Sequence, residues 1–145
     1  MYVETDRGVS AGEVAAVIAA VRHLDLSPGP GGSRMSEPAA TAAALRPVLA
    51  AVFPEPWPYA TVIALSPSSQ LVAHRDRGVD GKQHERTRYH LPIQVNPSCW
   101  SFHAGTWQQL IVGRCYQMDP TETHGAVNWG ETVRMHVIVD LAKER

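Results

Sequence analysis

The pattern of apolar and polar positions changes period near residue 58. From Ala11 to Leu24 (AGEVAAVIAAVRHL) apolar residues recur at helical spacing in an alanine-rich run. Ser10 just ahead of it and Glu13 three positions later predict an N-cap and its capping-box partner. The stretch SPGPGGS, Ser27 to Ser33, concentrates breakers and predicts a loop. A second helix is expected after Glu37-Pro38, running to about Val52, with Pro47 implying a kink or two short helices. Pro54, Pro56 and Pro58 close this region. From Tyr59 onward the runs are short, β-branched and aromatic: TVIALS, QLVAHRD, TRYHLPIQV, SCWSFHA, TWQQLIV, RCYQMD and VRMHVIVDLA. Turn-forming residues separate most of them at intervals of about ten residues, which predicts an antiparallel sandwich or jelly-roll barrel with the helices on one outer face. The chain therefore reads as a single domain over 1–145, mainly β. Residues 1–58 form a helical N-terminal support and residues 59–142 the barrel core.

Composition narrows the partners. With 44% apolar and 19% charged residues, a chain of 145 can bury a core without staples. The net charge is −1 and no run of Lys or Arg occurs, which argues against nucleic acid and anionic membrane surfaces as partners. The apolar runs are far shorter than a membrane span. The opening residues MYVETDRGVS lack the charged and apolar regions of a secretory signal, so a cytoplasmic location is the default expectation. Cys99 and Cys115 have neither zinc-ribbon nor CxxC spacing and read as buried free thiols.

Five of the seven histidines lie between His74 and His124. In a strand, positions i and i+2 share a face, so His74 and Asp76 project an imidazole and a carboxylate together. His124, in THGAVNWG just before another expected strand, is the best third donor. Two histidines and one carboxylate make the facial set that holds Fe(II) while leaving three positions open. In the last strand Arg134, His136 and Ile138 share one face, and Val133, Met135, Val137 and Val139 the other. An inward Arg134 needs an anion, because an unpaired buried charge is very costly. A dicarboxylate cosubstrate, or a neighbouring Glu131 or Asp140, meets that need.

Taken together, HRD, TRYHLPI, SFHAGTW and VGRCYQMDPTETHGAVNWGETVRMHVIVD resemble the aspartyl/asparaginyl β-hydroxylase family of 2-oxoglutarate-dependent dioxygenases over about Tyr59 to Leu141. The resemblance implies a double-stranded β-helix, a cupin-like jelly roll. It implies Fe(II) and 2-oxoglutarate as cofactors, with dioxygen and a small-molecule, peptide or protein substrate hydroxylated at a C–H bond. By the same resemblance His74, Asp76 and His124 are the catalytic metal ligands. Arg134 pairs with the distal carboxylate of 2-oxoglutarate, and Arg88 and His90 serve its metal-proximal end. Pro92 interrupts the Arg88 strand and implies an edge or a bulge.

The remaining groups read more plainly. His136 is either a pocket-lining group or a core histidine, His103 a surface or structural one, and His84 solvent-exposed in the polar loop Gly78 to Arg86. Trp100, Trp107 and Trp129 suit core or rim packing better than a substrate cage. Two rival functions fit the same residues. One is a non-catalytic cupin-like binding module with a structural metal; the other is an iron enzyme independent of 2-oxoglutarate with His90 replacing Asp76.

Overall fold

The computed structural model describes residues 1–78 and 80–144. Two helices, α1 (Ala11–Val21) and α2 (Pro38–Leu49), accompany the strands β1 (Val3–Glu4), β2 (Leu26–Pro28), β3 (Arg34–Ser36), β4 (Tyr59–Leu65), β5 (Ser69–His74), β6 (Arg86–Gln94), β7 (Cys99–His103), β8 (Thr106–Gln108), β9 (Tyr116–Met118), β10 (His124–Asn128) and β11 (Arg134–Ala142). They form a large sheet in the order β1-β9-β6-β11-β4-β3-β2 and a small one in the order β5-β10-β7-β8. The strand pairings are antiparallel. The arrangement is the jelly roll that the strand spacing predicts, with helices on one sheet.

Period-2 alternation in the long strands of the large sheet sorts the molecule into two layers. Val137, Val139 and Leu141 of β11, Leu91 and Ile93 of β6, and Ala60 and Val62 of β4 face outward. There they meet Val14, Val17 and Val21 of α1 and Leu45 and Leu49 of α2, and Phe53 completes the cluster. The opposite positions, Arg134, His136, Ile138 and Asp140 on β11 with Arg88 and His90 on β6, face the space between the sheets and are buried. Apolar burial against the helices thus frees the inner face of this sheet for polar groups.

Local chemistry accounts for the helix limits. Ser10 Oγ accepts from the Glu13 amide at 3.2 Å, and the Glu13 carboxylate accepts from the Ser10 amide at 3.0 Å, the expected capping box. α1 stops at Val21, three residues short of Leu24. α2 is one helix ending at Leu49, not two and not reaching Val52. Pro47 falls in its last turn, where the missing N–H costs one terminal hydrogen bond rather than a break.

Three further expectations change. The first 58 residues are not only helical: β1, β2 and β3 add to both edges of the large sheet, and the end of the SPGPGGS loop is fastened by Gly29 donating to Ser33 O at 2.9 Å. β10 does not figure among the expected strands, because HGAVN has one β-branched residue and a glycine; it lies between β5 and β7, where two neighbours supply the hydrogen bonds that propensity does not. Pro92 sits within β6, opposite His136, next to a register shift between Met135 and His136. The ladder with β9 ends at His90, and beyond it the Pro92 carbonyl accepts from Gly113 N at 3.0 Å, so the ring displaces no ladder donor there.

Candidate active site

The two histidines of the cluster are brought together by strand register. His74 ends β5, His124 begins β10, and the two are direct cross-strand partners with ring centroids 4.4 Å apart. The register shifts just after His124, at Gly125. A Cβ at Gly125 would lie 2.7 Å from the Leu71 carbonyl oxygen and 3.1 Å from the Ala73 backbone, so only glycine lets β5 approach this closely.

Both rings are oriented by the backbone. His74 Nδ1 lies 2.7 Å from Val72 O, and His124 Nδ1 lies 2.9 Å from Glu122 O. Each Nδ1–H donates to a carbonyl, which leaves each Nε2 lone pair free for a metal. Asp76 stands between them, Oδ1 at 3.3 Å from His74 Nε2 and Oδ2 at 3.4 Å from His124 Nε2. Its own amide is fixed to Pro120 O at 2.8 Å. One donor atom from each of the three residues lies within 4.8 Å of the others. Burial opposes the charge on Asp76, but the close approach of the His124 and His74 imidazoles and the Arg88 charge hold its carboxyl well below the usual range. The nearby Asp76 carboxylate in turn raises His74. An anion between two oriented nitrogen donors suits a divalent cation, and the donor set fits Fe(II). His90 is not in this cluster.

Arg88 approaches Asp76 from the large sheet. Its Nη1 donates to Asp76 Oδ2 at 2.5 Å, its Nε to Asp140 Oδ1 at 2.8 Å and its Nη2 to Asp140 Oδ2 at 3.0 Å. Gln83 closes the network, donating to Asp140 Oδ2 at 3.0 Å and accepting from Arg88 Nη2 at 3.4 Å. Asp140 is fully buried, and the pairing pushes Arg88 above its ordinary value although burial works the other way. Of the five N–H donors of a guanidinium, one on Nη1 is left uncommitted among the described residues.

Arg134 is different. It is buried, and its hydrogen bond among the described residues runs across the sandwich to Ser101 Oγ of β7 at 3.1 Å. Neither Glu131 nor Asp140 pairs with it; Asp140 is committed to Arg88. Burial lowers Arg134 from its ordinary value, yet an arginine stays charged. His90 and His136 meet at 3.0 Å between their Nδ1 atoms. Burial, then the Arg134 charge, pushes both well below the ordinary histidine value, so both are neutral.

These groups share one cavity of about 340 Å³, which His74, Asp76, His124, Arg88, His90 and Arg134 line together with Tyr2. His136 lies behind His90, outside this lining. Arg75, Arg77 and Arg86 stand among the lining groups on the side of the 78–86 loop, with Pro30, Met35 and Leu71 as an apolar wall. His103 is structural, its Nε2 2.8 Å from Asp119 O. His84 is exposed, as expected. Trp100, Trp107 and Trp129 are exposed and do not line the cavity. Cys99 and Cys115 are buried and free.

Sequence reading passes over Tyr2, Gln83, Ser101 and Asp140 as site residues. Asp140 was legible, since it alternates with Arg134, His136 and Ile138. Gln83 hides in a loop that reads as polar and solvated, and Tyr2 carries no local signal.

Residues 33–144 match the sequence model of the aspartyl/asparaginyl β-hydroxylase family. None of the curated proteins compared matches the chain in sequence. Solved structures share its fold at low identity. The non-haem α-ketoglutarate-dependent epimerase SnoN from nogalamycin biosynthesis has a TM-score of 0.72 at 16% identity, over 96% of this chain and 75% of that one. An oxidoreductase of the 2OG-Fe(II) oxygenase family from Burkholderia pseudomallei has a TM-score of 0.67 at 9% identity, over 93% and 80%. A Pseudomonas putida prolyl-4-hydroxylase has a TM-score of 0.64 at 14% identity, over 99% and 93%.

Proposed function

The chain belongs to the aspartyl/asparaginyl β-hydroxylase family, and from that premise we propose that it is an Fe(II)- and 2-oxoglutarate-dependent dioxygenase that hydroxylates a C–H bond of an amino-acid side chain, a peptide or protein, or a small molecule. One observation carries the reading. A three-donor His74–Asp76–His124 cluster and a buried Arg134 with no carboxylate partner among the described residues line the same cavity.

In this reading His74 Nε2, an Asp76 oxygen and His124 Nε2 hold the iron. Arg134 takes the distal carboxylate of 2-oxoglutarate, and Arg88 and His90 serve its metal-proximal end. Bound together, iron and 2-oxoglutarate supply dioxygen reduction coupled to decarboxylation of the 2-oxo acid and oxygen insertion into the substrate.

The protein's own groups orient and exclude. Backbone carbonyls fix the two imidazoles in one tautomer. Arg88, clamped by Asp140 and Gln83, holds the outer Asp76 oxygen and keeps one Nη1 hydrogen for the cosubstrate. His90 stays neutral, and its ring is set by His136 on one side and by Tyr2 on the other. The apolar wall of Met35, Ile63, Leu71 and Ile138 keeps bulk water from the reacting region.

The test is succinate formation from 2-oxoglutarate with Fe(II), ascorbate and dioxygen. Wild-type protein is expected to form succinate slowly without substrate, and His74→Ala and Asp76→Ala are expected to abolish it. Wild-type protein that binds metal but neither binds nor turns over 2-oxoglutarate would falsify the proposal.

A further inference from the structure

Tyr2 lies outside the region that matches the family, yet it lines the cavity and is only 3% exposed. Its ring packs edge-on against His90 at 5.2 Å and tilted against His103 at 5.6 Å. Its hydroxyl makes no hydrogen bond with any described residue and is not among the fully enclosed unpartnered polar atoms, and the residue lines the cavity. The charge it feels most is that of Arg134, then those of Arg88 and Asp76.

Its placement is built from two directions. The Gln108 side chain grips the Tyr2 backbone at both ends, accepting from Tyr2 N at 2.6 Å and donating to Tyr2 O at 3.0 Å. Gln108 is the cross-strand partner of Ser101, whose hydroxyl receives the Arg134 guanidinium. β1, which Tyr2 leads into, is the outer strand of the large sheet, and β8, which carries Gln108, is the outer strand of the small one. The Tyr2–Gln108 clasp therefore joins two sheet edges at the Arg134 end of the cavity. Tyr2, Leu110, Tyr116 and Met118 pack together and leave the ring little freedom.

We propose that Tyr2, positioned by Gln108, is a second recognition group for the distal carboxylate of 2-oxoglutarate, donating its phenolic hydrogen beside the Arg134 guanidinium. This rests on the dioxygenase reading. The Tyr2 hydroxyl, and the Arg134 guanidinium beyond its one bond to Ser101, leave donors uncommitted among the described residues at one end of the cavity; they call for a ligand with acceptors there, and a carboxylate offers two oxygens. Burial pushes the Tyr2 phenol up to about 12 despite the nearby arginines, so the group remains a donor across the neutral range.

The experiment is calorimetric titration of Ni(II)-loaded wild-type, Tyr2→Phe and Gln108→Ala proteins with 2-oxoglutarate and with 2-oxobutyrate, which lacks the distal carboxylate. Phenylalanine keeps the packing on His90 and His103 and removes only the hydroxyl. The expected result is a loss of 2-oxoglutarate affinity of about tenfold or more in Tyr2→Phe, the usual size for a hydrogen bond to a charged group. 2-Oxobutyrate affinity should change by less than about twofold, and Gln108→Ala should move the same way as Tyr2→Phe. In turnover, the KM for 2-oxoglutarate should rise while kcat at saturation holds. Unchanged 2-oxoglutarate binding in Tyr2→Phe, or an equal loss for both acids, overturns the role of Tyr2 while leaving the dioxygenase reading intact. Wild-type protein that binds neither acid overturns that reading, and the role of Tyr2 with it.

Discussion

Replacing Asp140 by Asn isolates the buried charge network from the metal donors. Asp140 is fully buried and takes two hydrogen bonds from Arg88 and one from Gln83. Removing one member of a buried ion pair costs about 3–5 kcal/mol, because the other charge is left uncompensated. Arg88 keeps Asp76 and the Gln83 oxygen, which places the expected loss near the lower end, about 3 kcal/mol. For a chain of this length that lowers Tm by roughly 6–12 °C. Urea unfolding of metal-free protein should show a lower midpoint at unchanged m. Without the Asp140 clamp Arg88 holds the Asp76 oxygen less rigidly, so affinity for Co(II), a spectroscopic stand-in for iron, should fall by about 10- to 100-fold. The double variant Arg88→Met/Asp140→Leu removes both charges and should recover most of the stability but not the metal affinity. An Asp140→Asn protein within about 0.5 kcal/mol of wild type would refute the energetic argument. A double variant with wild-type metal affinity would refute the positioning one.

Gly125→Ala sets a methyl carbon against the Leu71 carbonyl and is expected to cost about 1–3 kcal/mol, with weaker metal binding because His124 is the adjacent residue; denaturant titration and Co(II) absorbance read the two effects. His90 and His136 titrate below their unfolded value, so below about pH 6.5 the unfolded chain binds more protons and stability falls as pH falls, by at most about 1.4 kcal/mol per pH unit for each. His136→Gln should flatten that slope by its share, read from urea midpoints over this range. Ser10→Ala removes the cap of α1 and is expected to cost about 1 kcal/mol, measured by thermal unfolding, with no change in metal affinity.

Much of the barrel was legible because alternation is a physical signature of a sheet with one apolar face. β4, β6 and β11 each place alternate residues against the helices, and the inward Arg134 follows from that period alone. His74 was legible for the same reason, but Asp76 lies past the end of β5 and is held beside His74 by its amide on Pro120 O rather than by strand alternation. β10 was not legible, since its membership depends on neighbours rather than on its own residues, and its glycine is there for close approach. In the sequence, Asp140 reads as a partner for Arg134, with which it shares a strand face. The choice of Arg88 instead is made by the pairing of β6 with β11, which sets Arg88 opposite Asp140. Tyr2 and Gln83 reach the site through contacts more than 50 residues away in sequence, which no local pattern encodes.

The candidate metal donors His74 and His124 belong to the small sheet, and Arg88, His90 and Arg134 to the large one. On the proposed reading, iron with its 2-oxo acid acts as a rivet between the halves of the barrel. Any ligand that binds only the closed sandwich adds to the work of opening it, by about 2.7 kcal/mol at a hundred times its Kd. The persistence of the folded chain against unfolding and proteolysis is then set partly by how much iron and 2-oxoglutarate surround it. Without them the contacts across the seam near the site include Arg134 on Ser101, Arg88 on Asp76 and the Tyr2–Gln108 clasp.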